Sequence, residues 1–207
     1  MKYFLLIIAL AAQSAFAADK QPPIADPIVE KTIRVQLKKP KGNLTKADLV
    51  KGDAPQTREE KQWLELISKP IVMQFTATDG RKVDLAKMRG KVVLIYFCAS
   101  WCPPYVHEYP ELKATYEKLH DQGVELIGIS LERTREQLDK YTREKKIPWP
   151  QFYDEAGWNN VFMEQFQVKW IPRMLLVGRD GRIVDQDARQ DLDRKILKAL
   201  TQPDPTK

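Results

Sequence analysis

Val92 to Phe97 is a near-continuous apolar run of β-forming residues, and Val124 to Leu131 has the same character. Runs this short without polar alternation predict strands buried on both faces, the kind found inside sheets covered by helices. A helical pattern fills the space between them and ends toward Gln122, with Gly123 placed as the residue after the helix. Thr134 with Gln137 predicts a capped helix reaching about Lys146. Upstream, Ile71 to Phe75 is extended and turns at Asp79-Gly80 to return through Val83 and Leu85, a hairpin pattern. Downstream, a short helix is expected around Trp158 to Gln165, and Met174 to Val177 is a further apolar strand. Arg179-Asp180-Gly181-Arg182 turns it back through Ile183-Val184, and Asp191 to Leu200 closes as a helix. Strand, helix, strand and helix followed by a hairpin and a helix predict an α/β fold: a central mixed sheet with helices on both faces.

The segment ahead of this unit reads differently. Lys2 followed by the apolar Phe4 to Ala12 and the small-x-small Ala15-Phe16-Ala17 has the form of a signal peptide, residues 1–17. Gln13 and Ser14 interrupt the run before it reaches the ~20 residues of a membrane span. The expectation is a cleaved leader and a periplasmic or secreted chain that keeps no membrane span. Residues 18–69 form a polar, Lys- and Pro-rich extension, with a short helix opened by Thr57 and Glu60 and an apolar face of Trp63, Leu64 and Ile67. The compact domain is assigned to 70–201, with 202–207 as a tail.

Charge excludes more than it selects. The chain has 207 residues, with 34 Lys and Arg scattered among 28 acidic residues for a net charge of +6. Nucleic-acid binding calls for a concentrated basic stripe with interleaved aromatics, so no nucleic-acid partner is expected. Cys98 and Cys102 are the two cysteines. They are too few to staple a scaffold of this length and read as chemistry instead. Cys102 ends a buried strand and opens a helix directly before Pro103-Pro104, where the positive end of the helix dipole favours the thiolate.

Tyr96-Phe97-Cys98-Ala99-Ser100-Trp101-Cys102-Pro103-Pro104, then Glu108, Pro110, Glu111 and Leu112, resembles the active-site block of the thioredoxin superfamily. The likeness is to the exported TlpA-like and ResA-like thiol-disulfide proteins and to the tryparedoxins and nucleoredoxins. Asp79-Gly80-Arg81 through Gly90-Lys91, Ile171-Pro172 and Gly178-Arg179-Asp180-Gly181 agree in order and spacing. The resemblance implies a thioredoxin fold, Cys102 as nucleophile and a cis-proline at Pro172 beside which a substrate strand pairs. It places Trp101, Pro103, Pro104, Tyr105, Ile171, Pro172 and Arg173 around the substrate. Partners would be extracytoplasmic protein thiols and disulfides, with an outside thiol as reductant and no cofactor.

The departures carry as much weight. The family's resolving cysteine would fall at Tyr105, which cannot attack a mixed disulfide, and Tyr96 stands where thioredoxins keep a buried Asp. Cys98 is either a substitute resolving thiol or a buried core thiol, and the spacing alone does not choose. A single nucleophile suits isomerisation or repair of oxidised thiols, which start and end with the same free thiol. A thiol peroxidase would carry Thr where Ala99 stands, and a degenerate binding module is the alternative from another class. His107 lies about 140 degrees around the helix from Cys102 and is not assigned as a base, and His120 reads as surface. Cys98, Cys102 and His107 do not match the register of copper carriers, whose second cysteine would fall at Val106, so no metal is expected.

Overall fold

The computed structural model describes residues 58–206. The leader, most of the extension and the expected cap Thr57 lie outside them. The first helix, α1 (Arg58–Ser68), presents Trp63, Leu66 and Ile67 to the core. Leu66 takes the place expected of Leu64, because it completes the three- and four-residue spacing of one helix face. Strands β1 (Gln74–Thr76) and β2 (Lys82–Asp84) pair antiparallel as a separate hairpin. Gly80 at its turn has φ +87°, a left-handed conformation that glycine adopts without penalty.

The main sheet has the order β5-β4-β3-β6-β7. Its centre, β3 (Val92–Cys98), is buried at every residue, as the unbroken apolar run predicts. It runs parallel to β4 (Val124–Ser130) and antiparallel to β6 (Arg173–Val177), so the sheet is mixed. The outer strands are β5 (Gln151–Phe152), parallel to β4, and β7 (Ile183–Asp185), antiparallel to β6. β5 escapes sequence reading because a two-residue strand next to Pro150 has no periodicity to detect.

Side chains along β3 alternate between two cores. Val92, Leu94, Tyr96 and Cys98 meet α2 (Pro103–Leu119) and α5 (Leu192–Leu200) on one face. Val93, Ile95 and Phe97, with Ala99 just past the strand, meet α1 and α4 (Val161–Gln165) on the other. Each buried Val, Leu or Ile contributes roughly 1.5–3 kcal/mol, so this strand anchors both layers. The remaining helix, α3 (Arg135–Lys145), begins at Thr134, whose hydroxyl accepts from Gln137 N at 3.2 Å, and it lends Tyr141 to the first core. α2 stops at Leu119 and tightens through a 3-10 turn over His120–Gln122 before Gly123. Arg179, after β6, donates to Gly90 O at 2.8 Å and to Leu200 O at 3.2 Å, and pairs with Asp204 at 2.6 Å. One guanidinium therefore joins the entry to β3, the end of α5 and the segment that follows it.

Candidate active site

Cys102 is the N-cap of α2, with φ −96° and ψ 104° and no side-chain capping bond. Its carbonyl accepts from Val106 N at 3.2 Å, and its own N–H donates to Ala99 O at 3.0 Å, closing a tight turn out of β3. Pro103 and Pro104 occupy the first two helical positions and have no N–H to offer. Tyr105 is the first residue after Cys102 that carries an amide hydrogen. The first two helical positions therefore offer the sulfur no amide hydrogen.

Cys102 is 7% exposed and its thiol points at Ile171 O, 3.7 Å away. The Ile171-Pro172 peptide bond is cis. The thiol and the cis-proline loop therefore meet although they are separated by most of the domain's sequence. Pro103 and Pro104 are exposed at the rim, while Pro172 is buried beneath it. Arg173 is anchored rather than free: it pairs with Asp187 at 3.6 Å, donates to Gln186 Oε1 at 3.3 Å and lies 4.9 Å from the Trp170 ring centroid. Its burial lowers the guanidinium pKa, while Asp187 and Asp185 oppose that shift.

The loop carrying Cys102 is held by the residues that follow β4. Trp101, 39% exposed, donates its indole N–H to Leu131 O at 3.2 Å. Glu132, only 3% exposed, accepts from Ser100 N through one carboxylate oxygen and from Ser100 Oγ at 3.1 Å through the other. Its own N–H donates to Ser130 Oγ at 3.2 Å. Sequence reasoning missed Glu132. The available signal was a carboxylate directly after the buried run Val124 to Leu131, at the carboxyl end of the sheet where α/β folds place their sites.

Tyr105 was expected at the substrate groove, and the structure turns it inward. It is 2% exposed, with ring centroids 5.3 Å from Tyr96, 5.7 Å from Tyr141 and 6.2 Å from Tyr109. A position three residues into an amphipathic helix faces the core, and a large ring there fills space that a cysteine would leave open. Cys98 is 4% exposed and faces the same core. Burial raises the Cys98 pKa strongly; the nearby Tyr105 hydroxyl lowers it, and Glu132 and Cys102 add to the rise. Cys98 is therefore held as the neutral thiol, the unreactive form.

On the same core face Tyr96 donates its hydroxyl to Glu108 at 3.0 Å, and Arg189 grips that carboxylate through Nε at 3.2 Å to each oxygen and through its terminal nitrogen. Glu108 of α2, held by Arg189 from the loop before α5, thus sets a carboxylate against the Tyr96 hydroxyl. His107 and His120 are exposed, and neither touches the sulfur.

These protons give a testable pH dependence. Burial first, then neighbouring negative charge, raises the pKa of Cys98, Tyr96 and Tyr105, and pushes Tyr109 and Tyr141 to about 12. The folded chain keeps protons that the unfolded chain releases above about 8.5 for the thiol and about 10 for the phenols. Unfolding therefore releases protons in this range, and stability is fully present below about pH 8.5 and falls as pH rises. Urea melts at pH 7, 9 and 10 should show that decline, with Cys98→Ala flattening its first part; a curve level to pH 10 would contradict the assignment.

Comparison with known proteins agrees with this geometry. The AhpC/TSA family matches residues 69–186. "Probable nucleoredoxin 2" of Oryza sativa subsp. japonica is 32% identical over 122 residues, 58% of this chain, which spans only 30% of the length of that relative. The thiol-disulfide oxidoreductase ResA of Bacillus thuringiensis subsp. konkukian is 25% identical over 148 residues, 70% of this chain and 83% of ResA. The thioredoxin domain of a thiol-disulfide oxidoreductase from Bacteroides vulgatus superposes with a TM-score of 0.58 at 28% identity, covering 66% of this chain and 98% of that one. With its thioredoxin fold and a match over more than half its length, the chain belongs to the AhpC/TSA family.

Proposed function

We propose that the protein is an extracytoplasmic thiol-disulfide oxidoreductase that works through one nucleophile, Cys102, as an isomerase of protein disulfides. The observation that carries this reading is a free thiol at the start of α2 facing the cis Ile171-Pro172 loop at 3.7 Å, with buried Tyr105 at the position of a resolving cysteine. In the forward step the Cys102 thiolate attacks one sulfur of a partner disulfide. A Cys102-partner disulfide forms, and the partner's other sulfur leaves as a thiolate. A second partner thiolate then attacks the same partner sulfur, the new partner disulfide forms and Cys102 leaves as a thiolate. No electrons are gained or lost overall, and no resolving thiol is required. Cys98, buried and neutral, takes no part.

The names of the relatives, the thiol-disulfide oxidoreductases ResA and that of Bacteroides vulgatus, support the reaction class. Export rests on the apolar run Phe4 to Ala12 and the Ala15-Phe16-Ala17 site. Among the described residues no helix is long and apolar enough to cross a membrane. The test is rearrangement of a scrambled disulfide protein by the wild type, Cys98→Ala and Cys102→Ser. Wild type and Cys98→Ala should agree within about twofold, while Cys102→Ser falls to the rate of buffer alone. A wild type no faster than buffer, or a fully active Cys102→Ser, would reject the reading.

A further inference from the structure

A cavity of about 540 Å³ opens between β6, β7, α5 and the segment that follows α5. It lies toward the far end of β6 from the thiol: Arg173, beside the cis-proline, begins that strand, whereas Leu176 and Gly178 lie at its close. Its apolar lining is aliphatic. Leu176 and Ala199 are buried and form the floor, and Val184, 50% exposed, stands with Pro203 and Pro205 along the walls. Gly178 gives Val184 its room, because a Cβ there would come within 3.0 Å of Val184 Cγ1. The volume falls within the roughly 300–1,000 Å³ of small-molecule sites.

The charges around this cavity leave two cations over. Arg179, Arg194, Lys195 and Lys198 line it together with Asp180 and Asp185. Asp185 pairs with Lys195 at 2.9 Å, Asp180 with Arg182 at 2.8 Å, and Arg179 with Asp204 at 2.6 Å. Arg194 touches Asp191 at 2.7 Å, but the two side chains are 75% and 64% exposed, so water screens that pair. Lys198 has no acidic partner among the described residues. Arg194 and Lys198 stand one turn apart on α5, a spacing at which like charges repel. An anion seated between them offsets that repulsion.

We propose that this cavity binds a medium-chain aliphatic carboxylate, its head between Arg194 and Lys198 and its alkyl chain along Leu176, Val184 and Ala199. Charge selects the head: the guanidinium fork of Arg194 matches the two oxygens of a carboxylate, and Lys198 adds a second donor. The lining selects the tail. No aromatic side chain borders the cavity, so a flat aromatic body finds no ring to meet, whereas a flexible chain gains from burial alone. Because that gain grows with the apolar area removed from water, affinity rises with chain length until the cavity is filled. The site is separate from Cys102 and does not depend on the exchange reaction.

The test is calorimetric titration of the full chain with butanoate, hexanoate, octanoate and decanoate, and with decanol as the uncharged control. Each added methylene should tighten binding roughly two- to fourfold, and decanoate should bind at least about tenfold more tightly than decanol. The double variant Arg194→Glu with Lys198→Glu should weaken decanoate binding at least about tenfold, and Val184→Glu, which sets a like charge in the cavity, should do the same. All three positions are exposed, and urea melts check that the variants are folded. Cys102→Ser should bind decanoate as the wild type does. Absent binding, many decanoate molecules per chain, decanol held as tightly as decanoate, or full affinity in the charge-reversed variant would overturn the proposal. Loss of binding in Cys102→Ser would also overturn it, by moving the ligand to the exchange site.

Discussion

Tyr105→Cys should shorten the life of the mixed disulfide at Cys102 by at least about a hundredfold, because it supplies an attacking thiol on the same chain. Residues three apart at a helix start are neighbours, so the introduced thiol lies beside Cys102 and attacks it without diffusion. The reaction then changes character: the partner leaves as a thiol, the protein is left with a disulfide between Cys102 and the introduced thiol, and an outside reductant becomes necessary for turnover. The same substitution has a structural cost. Tyr105 is 2% exposed and packed among Tyr96, Tyr109 and Tyr141, so removing its ring should destabilise the fold by about 3–5 kcal/mol, the cost of a large cavity. Cys98 also loses the hydroxyl that lowers its pKa and becomes still less acidic. Urea melts establish the folded fraction, and quenched non-reducing gels then time the decay of a trapped peptide adduct. A folded variant whose adduct persists as long as that of the wild type would show that Tyr105 does not fill the resolving position.

The second large effect concerns Glu132. Its carboxylate is buried against Ser100 and satisfies both the backbone N–H and the hydroxyl two residues before the nucleophile. Glu132→Ala removes these acceptors and leaves the Ser100 N–H unpaired, at a cost of about 2–3 kcal/mol for bonds to a charged group. The larger consequence is positional. With Ser100 released, Cys102 no longer holds its approach to the cis-proline loop, and exchange with a peptide disulfide should slow roughly ten- to hundredfold, as small misplacements of reacting groups do. Glu132→Gln keeps one acceptor oxygen and should recover part of both losses. Stability and exchange rate are measured side by side on the two variants. An alanine variant that exchanges at the wild-type rate would reduce Glu132 to a packing residue.

The two effects arise at different depths of the same site. Cys102 and Tyr105 sit on one helix turn, and the missing resolver is apparent from spacing alone. Glu132 reaches the site from the end of a neighbouring strand, thirty residues later in the chain. The local sequence marks it only as a carboxylate after a buried strand; the contact with Ser100 exists because β3 and β4 pair in register from Val92↔Val124 to Cys98↔Ser130.

The sequence by itself determined the layers and the place of the Cys102 thiol. Unbroken apolar runs specify strands covered on both faces, glycine at Gly80 and Gly123 permits left-handed backbone at chain reversals, and Cys102 stands at a strand-to-helix junction whatever surrounds it. Those properties depend on local sterics and on hydrophobic period, which are encoded within a few residues. Tertiary structure decided the rest. Whether Cys98 was a second redox thiol or a core thiol depended on the alternation of β3, which directs it toward Tyr105 and away from water. Tyr105 left the groove because its helix face is the buried one. Arg173 became a strut through Asp187, Gln186 and Trp170, and Trp158 joined Trp101 across a long stretch of chain. Periodicity states that a side chain is covered; only the pairing of distant elements states by what, and the chemistry of this site is set by those partners.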